Sequence, residues 1–396
     1  MTAPLDGIRV VSIEQYGAGP FCSSYLADMG AEIIKIENPG TGDSSRQSGP
    51  YFLGDNDSHF FQTFNRSKKS LTLNLKDADG QRILSDLAGT ADAVMNNLRG
   101  DQPTRLGLDY ETLSETKTSL VCLHLSGYGR TGQRATWPAY DYLMQAEAGF
   151  MSLTGEPDGP PTRMGLSIID YLSGITAAFA LTAAMLGAAR TGQGRDVDVT
   201  LFDVAMHQLT YPAAWYLNEG AEVARQPRSG HPSVVPCERI PTTDGQIFVM
   251  CVLPKFWQAL CEIAGLPELT EDARFTTPAL RFRNRDTLMA LLDGAFAKAT
   301  TENWMTRLAG KVPVAPVLGL GQALDNPYAR ATGAIERIPH PDKPAGLKLV
   351  ASPIRLDGDR PKGRPAPKLG ADTDRILAGL GYDTDAIAAL RAKGAI

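Results

Sequence analysis

Residues 10–22, VVSIEQYGAGPFC, place an apolar run directly before two glycines and a helix-like stretch. Chemistry on a phosphate-bearing ligand needs that order: small residues let the ligand approach the backbone, and the first N–H groups of a helix face it. The dinucleotide fingerprint G-x-G-x-x-G/A adds an acid about 20 residues later for the ribose hydroxyls. Gly17 and Gly19 supply two of the three small residues, Cys22 stands in place of the third, and Glu37 follows at the required distance. Two glycines before a helix are more often a tight β-α turn with no ligand. The loop alone leaves both readings open.

Other chemistries find less support. The histidines at 59, 124, 207, 231 and 340 form no H-E-x-x-H pair, and His124 reads as a core residue within a strand. Five scattered cysteines, never spaced C-x-x-C, argue against a structural zinc or a disulfide scaffold. They point to a reducing, cytoplasmic compartment. A net charge of -5 gives no overall attraction to nucleic acid or an anionic membrane. MTAPLDGIRVV lacks a basic region followed by a long apolar core, so no signal peptide is expected. GITAAFALTAAMLGAA (174–189) is shorter than the roughly 20 residues that span a bilayer, and reads as a buried helix.

The elements that would position the loop alternate along the first 200 residues. GIRVVSI and AEIIKIE read as strands around a helix PFCSSYLADMG, with Pro20 in its first turn and Gly30 at its exit. KSLTLNL, ADAVMNNL and SLVCLHLSGYG continue the strands, and DADGQRILSDLAGT has helical spacing. Repeated β-α alternation predicts an α/β fold with a mostly parallel sheet. The expected organisation is a large Rossmann-like domain over 1–217, a polar linker at 218–234 and a smaller α+β domain over 235–325. A segment over 326–396 then returns to the large domain. Its stretch 339–367 carries seven prolines and reads as extended, and DTDRILAGLGYDTDAIAALRAKG reads as one closing amphipathic helix.

DGIRVVSIEQYGAGPFCSSYLADMGAEIIKIENPGTGDSSR, FNRSKKSLTLNLK and NNLRGDQPTRLGLDYETL resemble the opening of the family III CoA-transferases. The likeness continues through SGYGRTGQRATWPAYDYLMQAEAGFMSLTG and PTRMGLSIIDYLSGITAAF, and covers nearly the whole chain. It implies that the loop holds coenzyme A rather than NAD. The family's catalytic aspartate lies in a G-x-x-x-x-D-x-x-x-G segment, which is matched by Gly165, Asp170 and Gly174. Without the resemblance Asp170 would read as a helix cap; with it, Asp170 is the expected nucleophile. The implied reaction moves CoA from an acyl-CoA donor to a small carboxylic acid through an aspartyl anhydride and an aspartyl-CoA thioester. It calls for no metal.

Matching positions imply coenzyme A contacts from Gly17, Ala18, Leu73, Lys76, Asn97, Leu98 and Arg105. Gln15, Tyr140 and Asp141 are the implied active-site neighbours. Asn38 replaces an arginine found in formyl-CoA transferases, so Arg46 or Lys68 is expected to help hold the adenine end. Arg46, Arg163 and His231 are candidates for gripping the second carboxylate of a dicarboxylic acid. The α-methylacyl-CoA racemase branch is the alternative, but Tyr140 stands where those enzymes carry a histidine. The resemblance further implies an interlocked homodimer of ring-shaped subunits.

Overall fold

The computed structural model describes residues 3–396. Six strands form one sheet: β1 (Arg9–Ile13), β2 (Glu32–Glu37), β3 (Lys69–Thr72), β4 (Ala93–Asn96), β5 (Val121–Ser126) and β6 (Arg195–Thr200). Their order is β3-β2-β1-β4-β5-β6, and every pairing is parallel. That is the doubly wound Rossmann order. Both faces are covered, which is why AVMN and VCLHLS are buried at every position instead of alternating. The winding reverses between β1 and β4, and ligands of such sheets bind in the crevice beyond those two carboxyl ends. Gln15–Gly17 follow β1 and Asn97–Leu98 follow β4, so the topology brings two expected binding segments together.

Helix α1 (Ala18–Asp28) leaves β1 and packs against α5 (Ile168–Thr191). At 24 residues α5 is longer than expected, and is long and apolar enough to cross a membrane by length and composition alone. Its small residues explain its place instead. Ala177, Leu181 and Ala188 are buried, and a Cβ on Gly174 would sit 2.8 Å from the carbonyl oxygen of Ala18 and 3.1 Å from the Cys22 nitrogen. The small residue missing from the loop at Cys22 is thus supplied from the partner helix. Gly174→Val is expected to lower stability by about 1–3 kcal/mol through this overlap, read as a lower urea midpoint.

The remaining helices of this part include α2 (His59–Asn65), α3 (Ala78–Gly89), α4 (Asp141–Glu147) and α6 (Leu201–Gln208). The core on one sheet face joins Val11, Ile34, Leu71, Ile83, Leu87 and Val94 to Leu377, Ile387 and Leu390 from the end of the chain. That end is two helices, not one: Thr373–Gly379 and Thr384–Ala392 are separated at Gly381, whose φ is +94°. Asp383 caps the second by accepting from the Ala386 N–H at 2.8 Å. The proline-rich stretch is not simply extended either. Ile335–His340 pairs antiparallel with Lys343–Val350.

The chain divides into two compact units, one of Met1–Ala148, Gly165–Leu209 and Pro327–Ile396, the other of Gly149–Met164 and Thr210–Asn326. The division falls at 209/210, earlier than the expected 217, because Thr210–Glu219 is helical and belongs to the second unit. The expected linker also includes a short helical turn at Pro227–Ser229. The second unit has a three-stranded antiparallel sheet, with Gln246–Met250 between Cys237–Pro241 and Val314–Pro316. Helices such as Pro254–Ala264 and Arg285–Phe296 cover it around Trp257, Phe275 and Trp304.

Candidate active site

Asp170 lies in the first turn of α5, yet it does not cap that helix. The Asp141 carboxylate does: one of its oxygens accepts from the N–H groups of Ile169 at 2.6 Å and Asp170 at 3.0 Å. Asp141 stands at the start of α4 and is itself held by Gln145, whose amide donates to its other oxygen at 2.6 Å. The simplest structural explanation for Asp170 is therefore taken by a different residue. Its own carboxylate accepts no hydrogen bond from the described residues. Burial, and after it the negative charge of Asp141, push its pKa up to about 7.

Gly17 is the other wall of this position. A Cβ there would fall 2.5 Å from Asp170 Oδ2, so no larger residue fits without displacing the carboxylate. Gly19 has a separate duty, since its Cβ would strike Asn97 Cγ at 2.8 Å. Asn97 closes the loop in both directions: its Oδ1 accepts from the Gln15 N–H at 2.8 Å, and its Nδ2 donates to the Gln15 carbonyl at 2.7 Å. Tyr16, with φ +66°, turns the chain between Gln15 and Gly17. Its N–H donates to Asp43 at 3.3 Å, and Asp43 is paired at 2.8 Å with Lys35, a fully buried lysine on β2. Asn97→Ala is expected to lower stability by about 1–2 kcal/mol, read as a lower urea midpoint, because two loop-fixing hydrogen bonds are lost.

Three hollows meet this loop. The largest, about 380 Å³, is lined by Gln15, Gly17, Ala18, Asn97, Leu98 and Tyr140, among others, and reaches Asp170. A second, of about 260 Å³, reaches Asp170 from another side and shares Tyr16, Gly17 and Tyr140 with the first. A third, of about 190 Å³, lies over the ends of β1 and β2 and contains Gln15, Asn38, Leu73 and Lys76. Leu73 and Lys76 are thus grouped with Gln15 but not with Asp170. Arg105 lines none of the three; it is mostly exposed and pairs with Asp101 at 3.1 Å.

Two expected ligand groups are occupied inside the protein. Arg46 forms a two-pronged pair with Glu37 at 2.7 Å on each arm and stacks over Phe61 at 3.8 Å. Against the cost of burial, Arg46 and Lys35 hold the Glu37 carboxyl below the usual carboxylate range. Ser70 also donates to Glu37, so the acid is not offered to a ribose. Lys68 is buried on Glu14 at 2.7 Å and on the Pro20 carbonyl at 3.1 Å; burial lowers its pKa to about 8. Neither Arg46 nor Lys68 lines any of the three hollows. Arg163 and His231 belong to the second unit. His124 is fully buried between Asn96 and Asp196, a structural role.

Apart from Tyr140, the aromatic residues around Asp170 escaped the sequence reading. Phe60 and Phe64, four apart on α2, have rings 5.0 Å apart; Phe64 continues to Tyr171 at 6.0 Å, and Tyr16 meets Phe60 at 5.3 Å. The i, i+4 spacing of FFQTF was the available signal, but it reads equally as core.

A doubly wound sheet with an unbonded carboxylate beside its switch point defines an α/β protein with a ligand crevice at that point. Comparison with known proteins makes the class specific. Residues 5–373 match the model of CoA-transferase family III. The chain is 34% identical to a mouse (Mus musculus) succinyl-CoA:glutarate CoA-transferase, over 99% of this chain and 90% of that one. It is 36% identical to an acetyl-CoA:oxalate CoA-transferase of Acetobacter aceti, over 92% and 93%. A crystal structure of a CAIB/BAIF family protein from Brucella suis superposes with a TM-score of 0.83 at 31% identity, covering 96% of this chain and all of the other. The chain belongs to CoA-transferase family III, and it is an enzyme of that class.

Proposed function

We propose that Asp170 carries the acyl group and then CoA between two acids. Its carboxylate oxygen attacks the thioester carbonyl, the C–S bond breaks, and CoA leaves as thiolate; the product is a mixed anhydride on Asp170. The thiolate attacks the Asp170 carbonyl carbon, the C–O bond breaks, and the first acid leaves as carboxylate. A second carboxylate attacks the resulting aspartyl-CoA thioester and expels the thiolate, forming a new anhydride. The thiolate then takes the new acyl group and Asp170 returns as carboxylate. The starting and final thioesters are of similar energy, so the overall transfer needs no further energy source, and exclusion of water protects the higher-energy anhydrides and the aspartyl-CoA thioester between them.

The observation that carries this reading is the carboxylate itself, relieved of capping by Asp141 and facing two hollows. Incubation with acyl-CoA and hydroxylamine is expected to leave a hydroxamate at Asp170, detected by peptide mass. A CoA-bound protein without that adduct would overturn the mechanism. The large hollow, with Gly17, Ala18, Asn97 and Leu98, suits the thiol end of CoA, and the crevice with Leu73, Lys76 and Asn38 suits its nucleotide end.

The raised pKa sets the pH behaviour. The free enzyme attacks only as carboxylate, so kcat/KM for the acyl-CoA is expected to rise with pH and level off above about 7. The same shift costs stability. The folded pKa lies above the unfolded value, so stability is full below about 4 and declines as pH rises to about 7. The advantage of an Asp170→Asn protein in chemical denaturation should grow over that interval and stay constant beyond it.

The enzyme acts as a homodimer in this proposal, in the interlocked form the family resemblance implies. Ile175, Phe179 and Leu186 lie at helical spacing on α5 and are 43%, 75% and 62% exposed in the single chain, an apolar stripe suited to a second copy. Light scattering is expected to give a dimer, and Phe179→Glu to weaken it.

A further inference from the structure

We infer that the smaller hollow beside Asp170 is the acyl subsite and takes an uncharged hydrocarbon acyl group, aromatic by preference, rather than the second carboxylate of a diacid. The inference rests on the transfer chemistry proposed above. The hollow of about 260 Å³ is walled by Tyr16, Phe60, Phe64, Tyr140, Tyr142 and Tyr171, with the Asp170 carboxylate at its edge. The rings form a connected surface: Tyr16–Phe60 at 5.3 Å, Phe60–Phe64 at 5.0 Å and Phe64–Tyr171 at 6.0 Å, all tilted. Such walls offer faces and edges to a flat apolar group.

Charge disfavours the second carboxylate of a diacid in this hollow. No lysine, arginine or histidine lines the hollow, and its two ionisable acids are Asp141 and Asp170. A carboxylate placed there would meet like charge and, among the described residues of the lining, find no cation to pair with. Arg99, which lines the larger hollow, is paired with both oxygens of Asp101, and two further cations are bound inside the protein. Arg46 is held by both oxygens of Glu37 and by the Pro367 carbonyl, and Lys68 by Glu14, Asn65 and Pro20.

The test uses acetyl-CoA as donor and compares 3-phenylpropanoate with glutarate as acceptor, following the new CoA ester by chromatography. We expect kcat/KM for the aryl acid to exceed that for glutarate by about 100-fold. Phe60→Lys should raise transfer to glutarate and lower transfer to 3-phenylpropanoate. Phe60→Leu, which keeps the wall apolar, should weaken the aryl acid without helping glutarate, and it serves if the lysine variant does not fold. Equal or better use of glutarate by the unaltered enzyme overturns the subsite. So does failure to use either acid while acetyl-CoA and hydroxylamine still mark Asp170. Absence of both transfer and the hydroxamate overturns the transfer mechanism, and the subsite falls with it.

Discussion

Asp170→Asn is expected to lower CoA transfer by about 10⁴-fold or more, the scale on which loss of a covalent nucleophile is felt. The substitution is nearly isosteric and leaves the helix cap intact, because the Ile169 and Asp170 N–H groups donate to Asp141. Binding of CoA, measured by calorimetry, should change little, and no hydroxamate should form at position 170. The protein should also be more stable than the parent at pH 8, since a carboxylate that resists ionisation has been replaced by a neutral amide. An inactive variant with lower stability would instead mean that the residue serves the fold.

Gly17→Ala is the second large effect. The added methyl group would stand 2.5 Å from Asp170 Oδ2, closer than atoms can approach, and the carboxylate is the movable partner. A displacement near 1 Å at a reacting group costs about 100-fold in rate, so kcat should fall by that order while the protein stays folded. Gly187→Ala, on α5 with nothing within 4 Å of the new methyl, is the control. It should keep full activity and gain up to about 1 kcal/mol from helix propensity. If Gly17→Ala matched the control in rate, the two walls would not confine the Asp170 carboxylate.

Much of the frame was legible. Apolar runs such as EIIKIE and VCLHLS, separated by helical spacing, specify parallel strands buried on both faces, and the sheet follows. Pairings far apart in sequence were not. Nothing local says that Asp141 caps a helix beginning 27 residues later, or that Gly174 makes room for α1. Charge alone misled at Arg46 and Lys68, because a lysine or arginine in sequence does not show whether its partner is a ligand or a neighbouring strand. The break between the last two helices rests on Gly381 adopting a left-handed conformation inside an otherwise continuous amphipathic pattern. The aromatic wall stayed hidden because it gathers residues 16, 60, 64, 140, 142 and 171 from separate segments.

The Glu37–Arg46 clamp bears on redesign of this scaffold. A protein engineer who restored the small residue at position 22 would complete a familiar consensus without creating a hydride-transfer enzyme. The acid that would select the cofactor's sugar is already bound by a guanidinium and a serine, and freeing it would strand Arg46 beneath the surface with no counter-ion. Matching a consensus letter by letter is therefore a poor guide to cofactor choice here; the decisive variable is whom the acid already serves.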